Sequence, residues 1–413
     1  MRILWVKANK LLPVSSGGDI RSYHVLQELS ATNEVTFLSY YDGTVDEKYD
    51  EELQRHFPGA VSICTGKASS TMVARGLDFL AKLPKEAPYA VSRFKSEAVR
   101  EQLGRWFAEA RFDVAVCDFL DAAINFPEKL TIPTVLFQHN VESEIWRRHA
   151  ETSSDVARKL VYKLEFAKML NYERKIVRKS EHVIAVSEND RNIMSAWVDA
   201  SRITVVPTGV DLRQFRPGPA PEGSAPIMTF VGAMDWEPNI DAVEYFCRDI
   251  WPGVLARVPS ARFQIVGRNP DRRVRKWASE SVEVTGSVAS VVDYLKHAAV
   301  VVVPLRVGGG TRLKIYEAMA MAKALVSTTV GAEGLDIQHG ENLILADEAE
   351  SFTRAITDFL EQPELRRQFG GAAAQTAARY DWPVIGEEFG KVLSAVAGMP
   401  PASSPLMVVV REA

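Results

Sequence analysis

Residues 300–320 read VVVVPLRVGGGTRLKIYEAMA. The four valines predict a buried strand, three glycines follow it, and a helical pattern starts at Thr311. Amide groups of the glycine loop and the unpaired N–H groups of the first helical turn form a site for an anion such as phosphate. Arg312 and Lys314 add two positive charges, which oppose the helix macrodipole unless an anion binds between them. We therefore interpret this segment as a phosphate-binding loop rather than as a simple turn.

Length and composition indicate an ordinary globular protein of two domains. The chain has 413 residues, too many for one core, and 46% of them are hydrophobic. Its formal net charge of −4 gives no basic surface for nucleic acid. The three cysteines are widely separated and predict core packing in a reducing compartment. Because a strand begins at residue 2, we expect no signal peptide and a cytoplasmic protein.

Strands alternate with helices throughout the chain. This rhythm predicts parallel sheets covered by helices on both faces, the doubly wound α/β class, whose ligands bind where the strands end. The predicted strands are Ile3–Val6, Glu34–Tyr40, Val61–Cys64, Val114–Cys117, Thr134–Phe137, Val183–Val186, Ile203–Val206, Ile227–Val231, Phe263–Val266, Val282–Thr285, Val300–Val303 and Leu325–Thr328.

One proline-rich interval predicts the domain boundary. Residues 217–226 read PGPAPEGSAP, which suits neither a helix nor a central strand. We predict a first Rossmann-like domain over residues 1–210, a linker over 211–226 and a second Rossmann-like domain over 227–383. Residues 399–413 form a proline- and serine-containing tail that we expect to be flexible.

A long helical pattern over residues 155–180 carries eight basic residues. Its apolar residues, among them Leu160 and Leu164, recur at helical spacing. The first interpretation is the solvated face of a packed helix. The alternative is peripheral contact with an anionic membrane, here the inner membrane surface.

Three short motifs occur in a characteristic order along the chain. They are Pro207–Asp211 followed by Phe215 and Pro217, then Phe230-Val231-Gly232, and finally Glu317-Ala318-Met319-Ala320. Together they resemble the family 4 glycosyltransferases, over roughly residues 1–395. The resemblance implies the GT-B fold, in which an acceptor-side domain and a nucleotide-sugar-binding domain face each other across a cleft. A helix over residues 384–398 would cross back to the first domain.

The resemblance also implies the reaction. Such enzymes are retaining transferases that move a sugar from a nucleoside diphosphate, UDP- or GDP-linked, to a hydroxyl acceptor. The nucleotide sugar is a co-substrate, and no cofactor is implied. Bacterial surface-polysaccharide or glycolipid synthesis is the commonest setting of relatives, and the basic helix is compatible with a lipid-linked acceptor.

The donor half of the site is implied by the glycine loop. In the family, two glutamates separated by seven residues stand here. Glu317 matches the second, which accepts hydrogen bonds from ribose hydroxyls, whereas Gly309 replaces the first, a contact of the donor sugar. The family's two basic residues after Phe-Val-Gly are missing after Gly232, and Arg312 and Lys314 are their natural replacements. The implied donor-binding residues are Gly18, Gly232, Val288 beside the base, Gly309, Gly310, Thr311, Leu313 and Glu317.

The first domain contributes candidates after two predicted strands. Gly17 and Gly18 match a family glycine pair near the donor phosphate or the acceptor, although a turn explains them equally well. His139 stands where the family has a histidine at the reaction centre. It would donate to a sugar hydroxyl or a phosphate with a pKa near the working pH, unless it is merely structural. We assign Gly17 and Asn140 to the acceptor, and Asn140 and Glu142 could instead cap the next helix.

The predicted catalysis stabilises the leaving nucleoside diphosphate. The catalytic candidates are His139, Arg312 and Lys314, with the loop amides as further donors. The sequence contains no Asp-x-Asp pair, so we predict transfer without a metal ion. Two alternatives stay open, a sugar-nucleotide epimerase on the same fold and a non-catalytic nucleotide-sugar-binding partner. A dinucleotide-dependent oxidoreductase is disfavoured because no Gly-x-Gly-x-x-Gly follows the first strand.

Overall fold

The computed structural model divides the chain into two compact units. The first comprises Met1–Pro207 and the residues from Ile385 on, and the second comprises Thr208–Val384. The structure describes residues 1–14, 16–66, 78, 86–152, 155–218, 226–307 and 313–399. The predicted loop residues Gly309, Gly310, Thr311 and Arg312 therefore lie outside the described residues.

The first unit is built on a parallel seven-stranded sheet in the order β3-β2-β1-β4-β5-β6-β7. The direction of strand succession reverses between β1 and β4, the place where such sheets bind ligands. The strands are β1 (Arg2–Ala8), β2 (Glu34–Tyr41), β3 (Val61–Cys64), β4 (Val114–Asp118), β5 (Thr134–Gln138), β6 (His182–Ala185) and β7 (Ile203–Val205).

Helices cover this sheet. Four of those listed below start at a side-chain cap; Ser16, for example, accepts from the Asp19 amide and Asp155 accepts from the Arg158 amide. The helices are α1 (Gly17–Thr32), α2 (Glu47–His56), α3 (Tyr89–Ser92), α4 (Glu97–Ala108), α5 (Leu120–Ala123), α6 (Glu142–Thr152), α7 (Val156–Lys179) and α8 (Glu188–Met194), followed by a 3-10 turn at Ala200–Arg202.

The second unit repeats the design with a six-stranded parallel sheet in the order β10-β9-β8-β11-β12-β13. Its strands are β8 (Ile227–Val231), β9 (Arg262–Val266), β10 (Val282–Gly286), β11 (Val300–Val303), β12 (Ala324–Ser327) and β13 (Ile344–Leu345). Its helices are α9 (Glu237–Tyr245), which continues through a π-helical turn (Phe246–Ile250) into α10 (Trp251–Arg257), α11 (Arg272–Arg275), α12 (Val291–His297), α13 (Leu313–Ala320), α14 (Ala349–Glu361) and α15 (Pro363–Ala377). A 3-10 turn (Ala378–Tyr380) then precedes α16 (Trp382–Val396).

The predicted α/β fold of two Rossmann-like domains is confirmed. Each predicted strand is present with ends within two residues of those observed. The prediction missed β13, which has only two residues and pairs with Val326 and Ser327 at the edge of the sheet.

The first unit ends at Pro207, three residues before the predicted boundary. Val210 belongs to the second unit because its amide donates to the Tyr380 carbonyl at 2.8 Å and its backbone pairs with Asp381. The segment predicted as a linker, 211–226, also contributes to packing, since Phe215 is buried in the core of the second unit.

The last helix, α16, joins the first unit from Ile385 on. The ring of Phe389 lies 5.5 Å from that of Trp5 on β1 and 4.9 Å from that of Phe137 on β5. Gly386 allows this approach, because a Cβ there would lie 2.3 Å from the Cβ of Glu28 on α1. No helix among the described residues has the length and apolar character that crossing a membrane requires.

Candidate functional site

One group of predicted site residues lies at the carboxyl end of β8. The Lys314 ammonium, from α13, donates a 3.0 Å hydrogen bond to the side-chain oxygen of Asn239 on α9. It also lies 4.5 Å from the centre of the Phe230 ring, a cation–π contact. A Cβ on Gly232 would lie 3.0 Å from this ammonium and 2.7 Å from Asn239 Nδ2, so a larger residue here would displace the Asn239 side chain. The structure thus brings Gly232 and Lys314 together, as predicted, with Asn239 between them.

Asn239 fixes the direction of this contact. Its side chain is buried, and its Nδ2 donates to the Ala233 carbonyl at 2.8 Å, which leaves Oδ1 for Lys314. No basic residue stands in the segment from Gly232 to Asn239, the segment that carries the basic pair in the resembling family. Lys314 therefore brings a positive charge to the end of β8 from elsewhere in the chain.

Glu317 follows Lys314 by about one helical turn. Burial raises the pKa of its carboxyl to about 7, although the Lys314 charge acts in the opposite direction. The carboxyl is therefore close to its titration midpoint at neutral pH. Leu313, the residue before Lys314, is the first residue of α13 and is half-buried.

Val288 lines a recess beside the end of β10. It is half-buried, and Gln264, Thr285 and Tyr294 line the same recess. Gly232, Lys314 and Glu317 do not belong to the lining of this recess.

A second group lies at the carboxyl ends of β1, β4 and β5 in the first unit. His139 is buried, and its Nε2 lies 2.7 Å from Oδ1 of Asp118. The other Asp118 oxygen accepts from Trp5 Nε1 at 2.9 Å and lies 3.8 Å from the Lys7 ammonium. The parallel register explains this cluster, because Lys7 pairs with Asp118 and Asp118 pairs with Phe137, two residues before His139.

The charges around His139 determine its protonation. Burial, and then the Arg21 guanidinium, lower the pKa of His139 to about 4. Burial acts to raise the pKa of the Asp118 carboxyl, but the Lys7 ammonium and the His139 ring hold it well below its usual range. An ionised Asp118 can only accept, so we assign the neutral tautomer in which His139 Nε2 carries the proton. The pKa of His139 lies below the neutral range to which a catalytic histidine can be tuned, because burial disfavours the charged imidazole.

The other ring nitrogen of His139, Nδ1, is an acceptor beside the first turn of α1. Nδ1 is buried and has no hydrogen-bond partner within the described part of the chain. A Cβ on Gly18 would lie 3.8 Å from it. Arg21 ties the two segments together, donating to the carbonyls of Gly17 and His139 at 3.2 Å each. Gly17, Gly18 and His139 are therefore neighbours, and a ligand hydroxyl beside Gly18 could donate to Nδ1.

Asn140 lies next to this cluster but does not cap α6. The buried carboxylate of Glu173 on α7 does so, accepting from the amides of Glu142 and Ser143 at 2.8 and 3.0 Å. Asn140 instead hydrogen-bonds the Glu142 carboxyl, whose pKa is raised to about 8 by burial and then by neighbouring carboxyls. Asn140 Oδ1 is buried and has no partner among the described residues.

Sequence reasoning missed four residues that shape the first-unit cluster. Lys7 and Asp118 stand at or near the carboxyl ends of their strands, a position that marks candidate ligand contacts in a parallel sheet. Arg21 and Glu173 carry no such signal. Across the described ranges, no three His, Cys, Asp or Glu side chains are grouped so that they could hold a metal ion. Metal-independent transfer stays a prediction.

Two family models match the chain and divide it as the fold does. Residues 24–214 match the model described as Glycosyltransferase Family 4, and residues 225–362 match the model described as Glycosyl transferases group 1. The chain belongs to the family 4 glycosyltransferases. It is a glycosyltransferase whose candidate residues lie at strand ends in both units.

Several characterised and uncharacterised proteins are similar to this glycosyltransferase. The phosphatidyl-myo-inositol mannosyltransferase of Mycolicibacterium smegmatis is 24% identical, over 76% of this chain and 79% of that protein. An uncharacterised 44.6 kDa protein in the cps region of Klebsiella pneumoniae is 20% identical, over 87% and 90%. The D-inositol 3-phosphate glycosyltransferase of Streptomyces griseus is 25% identical, over 54% of this chain and only 55% of that protein.

Solved structures share the fold. Sucrose-phosphate synthase from Thermosynechococcus elongatus superposes with a TM-score of 0.70 at 17% identity, covering 96% of this chain and 99% of that one. Anabaena HepE in complex with UDP and glucose gives a TM-score of 0.65 at 14% identity, covering 96% and 100%. At such identities the likeness shows the fold alone.

Proposed function

We propose that this glycosyltransferase moves a sugar from a nucleoside diphosphate, UDP- or GDP-linked, to a hydroxyl acceptor. The observation that carries the proposal is the Lys314 ammonium, held by Asn239 beside Gly232 at the carboxyl end of β8. A positive charge there suits a diphosphate, because ligands of open parallel sheets bind at strand ends. Support also comes from HepE, which has this fold and was solved with UDP and glucose.

In the proposed reaction, the bond between the anomeric carbon and the β-phosphate oxygen breaks while a bond to the acceptor oxygen forms on the same face of the sugar. The acceptor proton passes to the leaving phosphate. Lys314 stabilises the charge that develops on this phosphate, together with Arg312 and the amides of Gly309, Gly310 and Thr311. No metal ion takes part. Glu317 in its ionised form accepts hydrogen bonds from the ribose hydroxyls.

His139 orients the donor sugar in this proposal. Its Nδ1 is an acceptor at neutral pH, so a sugar hydroxyl donates to it while Asp118 holds the ring through Nε2. This differs from the sequence-based expectation, in which the histidine is the donor. The hydrogen bond from the sugar hydroxyl also satisfies Nδ1, a buried acceptor that has no partner among the described residues.

We propose a lipid-linked hydroxyl acceptor and a role in bacterial polysaccharide or glycolipid synthesis. The name of the Mycolicibacterium smegmatis relative, a phosphatidyl-myo-inositol mannosyltransferase, supports such an acceptor. Gly17 and Asn140 are the acceptor-side candidates, and the buried Oδ1 of Asn140 is available to accept from a hydroxyl.

The test is a panel of UDP- and GDP-sugars incubated with the enzyme, a mixture of lipid-linked acceptors and excess EDTA. Release of nucleoside diphosphate with one donor, and an anomeric NMR signal of retained configuration in the product, are expected. Conversion of the donor to its epimer would support the epimerase alternative. Binding of a donor by calorimetry without turnover would support a non-catalytic binding partner, and absence of binding would contradict the donor class.

A further inference from the structure

The first three turns of α7 expose a cluster of large apolar side chains. Val156 is 83% exposed, Leu160 70%, Leu164 41% and Val161 36%. Nine large hydrophobic residues are exposed in the described part of the chain, and four of them fall within these nine positions. Single exposed apolar residues are ordinary, whereas a contiguous group marks a surface that meets a partner. We name these four residues the α7 patch.

The opposite side of α7 is anchored in the first unit, so the α7 patch is not a misplaced core face. Met169, Ile176 and Val177 are buried in the core cluster of this unit. Glu165 accepts from the Tyr89 amide at 2.8 Å, and the Glu173 carboxylate caps α6. These contacts fix the rotation of the helix about its axis.

The charge on α7 is sorted between its two faces. The helix contains only two acidic residues, Glu165 and Glu173, and both are buried. Its eight basic residues therefore have no exposed acidic neighbour within the helix. Arg158 and Lys163, which are exposed, lie beside the α7 patch. The basic residues are Arg158, Lys159, Lys163, Lys168, Arg174, Lys175, Arg178 and Lys179.

We propose that the α7 patch docks this protein on an anionic lipid bilayer. Leu160 and Leu164 enter the headgroup region, where an amphipathic helix buries its apolar side by about 5–10 Å. The flanking cations lie at the level of the lipid phosphates, which attract them within a Debye length. A purely apolar protein partner would have no use for the exposed cations of this helix, whose two acidic side chains are both buried. The proposal goes beyond the proposed function, because it concerns a surface and not the reaction.

The experiment is co-sedimentation of the full-length protein with vesicles of phosphatidylcholine alone or mixed with phosphatidylglycerol. We expect binding to the mixed vesicles, weaker binding at high salt and little binding to phosphatidylcholine. The variants Leu160→Ser with Leu164→Ser and, separately, Arg158→Glu with Lys163→Glu should each weaken binding at least tenfold. The matched controls are Val45→Ser, an exposed valine in the same unit, and Arg105→Glu on α4.

Nucleotide release from the donor by the detergent-solubilised variants serves as the check of folding and should stay at the wild-type level. Equal binding to both vesicle types would overturn the role of charge. Unchanged binding by both double variants, or no binding by the wild type, would overturn the docking surface. Concentration-dependent dimers in sedimentation velocity that disappear with Leu160→Ser and Leu164→Ser would assign the patch to a second copy of the chain instead.

Discussion

Lys314 Nζ and Asn239 Oδ1 are 3.0 Å apart, although 75 residues separate them in the chain. This contact explains how the protein has a positive charge at the end of β8 without a basic residue in the segment that follows Gly232. Asn239 is a positioning residue in this arrangement, since it acts through the Lys314 ammonium. The charge it holds in place is the centre of the proposed donor site.

Replacing Asn239 should lower activity through Lys314. Asn239→Ala removes the acceptor of the Lys314 hydrogen bond and leaves the Ala233 carbonyl without its donor. We expect kcat/KM to fall by about 10- to 100-fold and stability to fall by about 1–3 kcal/mol. The informative comparison is Asn239→Asp, which loses the donor to the Ala233 carbonyl as alanine does, but keeps an acceptor for Lys314 and places a negative charge beside its ammonium. This variant should raise the KM for the donor. Equal donor affinity in Asn239→Asp and wild type would refute the role of Asn239.

Gly18 tests whether a ligand hydroxyl binds beside His139 Nδ1. A Cβ at this position lies at ordinary contact distance, 3.8 Å from Nδ1 and from Ser16 Oγ, so Gly18→Ala should fold. It should leave the melting temperature unchanged or raise it, because alanine favours the helix by up to about 1 kcal/mol. Transfer should fall at least tenfold, because the methyl group occupies the place of the sugar hydroxyl.

Gly104→Ala on α4 is the matched control, since no atom lies within 4 Å of its added Cβ. Both variants gain the same methyl group on a helix of the first unit. The two variants should therefore have similar melting temperatures, whereas the steady-state transfer rate should fall only in Gly18→Ala. Full activity in Gly18→Ala would place the donor sugar elsewhere.

The raised pKa of Glu317 predicts a pH dependence of donor affinity. If the ionised carboxylate accepts from the ribose, the Kd for the nucleoside diphosphate should fall as pH rises from 6 to 8, through the pKa of about 7. Glu317→Gln should bind more weakly and lose this dependence. Calorimetric titrations at three pH values measure both effects. A Glu317→Gln variant with the wild-type pH profile would remove Glu317 from the ribose site.

The same residue should limit stability at neutral pH. Its folded-state pKa lies above the unfolded value, so the folded state binds more protons between the two values and stability declines as pH rises through that window. Glu317→Gln removes this cost. We expect the variant to melt at a higher temperature than the wild type at pH 8 and to show a smaller advantage at pH 5, measured by thermal denaturation in matched buffers.

Asp118 should be essential for the stability of the first unit. Asp118→Asn removes the buried carboxylate beside the Lys7 ammonium and leaves Asp19, 3.5 Å away, as its remaining partner. Because Asp118 also accepts from Trp5 and His139, we expect a loss of up to roughly 3–5 kcal/mol. Because the pKa of Asp118 is held low in the folded state, its contribution is present above the ordinary aspartate pKa and is lost as pH falls below it. Urea denaturation should therefore show a large difference between variant and wild type at pH 7 that narrows at pH 3.

Glu97→Gln is the control for this measurement. Glu97 is an exposed carboxylate of the same unit, paired with Arg100 at 3.4 Å, and surface pairs contribute at most about 1 kcal/mol. Its replacement should leave the unfolding free energy nearly unchanged at both pH values. A small effect of Asp118→Asn at pH 7, similar to that of Glu97→Gln, would show that Asp19 alone is enough to stabilise the Lys7 charge.

The sequence predicted the strands well because each is a short run of buried aliphatic residues. Val300–Val303 has no polar residue to obscure its type, and its glycine-rich continuation marks the loop. By contrast, β13 is only two residues long and carries no periodicity. The proline-rich stretch before residue 226 predicted a break in secondary structure, but it gave no sign that Phe215 anchors the preceding segment in the second core.

The site residues that could be predicted are those marked by their local sequence. Gly232, Lys314 and His139 stand next to strand ends or in the glycine-rich segment, and the structure places them there. The partner of Lys314 lies 75 residues away, and that of His139 lies 21 residues away on a neighbouring strand. The low pKa of His139 depends on burial and on Arg21, which only the folded packing creates. The local sequence pattern predicts neither these distant partners nor the lowered pKa.

The most direct test of the central claim is the initial rate of nucleoside-diphosphate release by wild type, Lys314→Gln and Lys276→Gln. Lys276 is a surface lysine of the same unit, paired with Glu244 at 2.7 Å, and serves as the control for loss of one positive charge. We predict that Lys314→Gln lowers kcat/KM by at least about 100-fold, roughly 2.7 kcal/mol, whereas Lys276→Gln stays within twofold of wild type. A Lys314→Gln variant as active as Lys276→Gln would contradict the assignment of the donor phosphate to the end of β8.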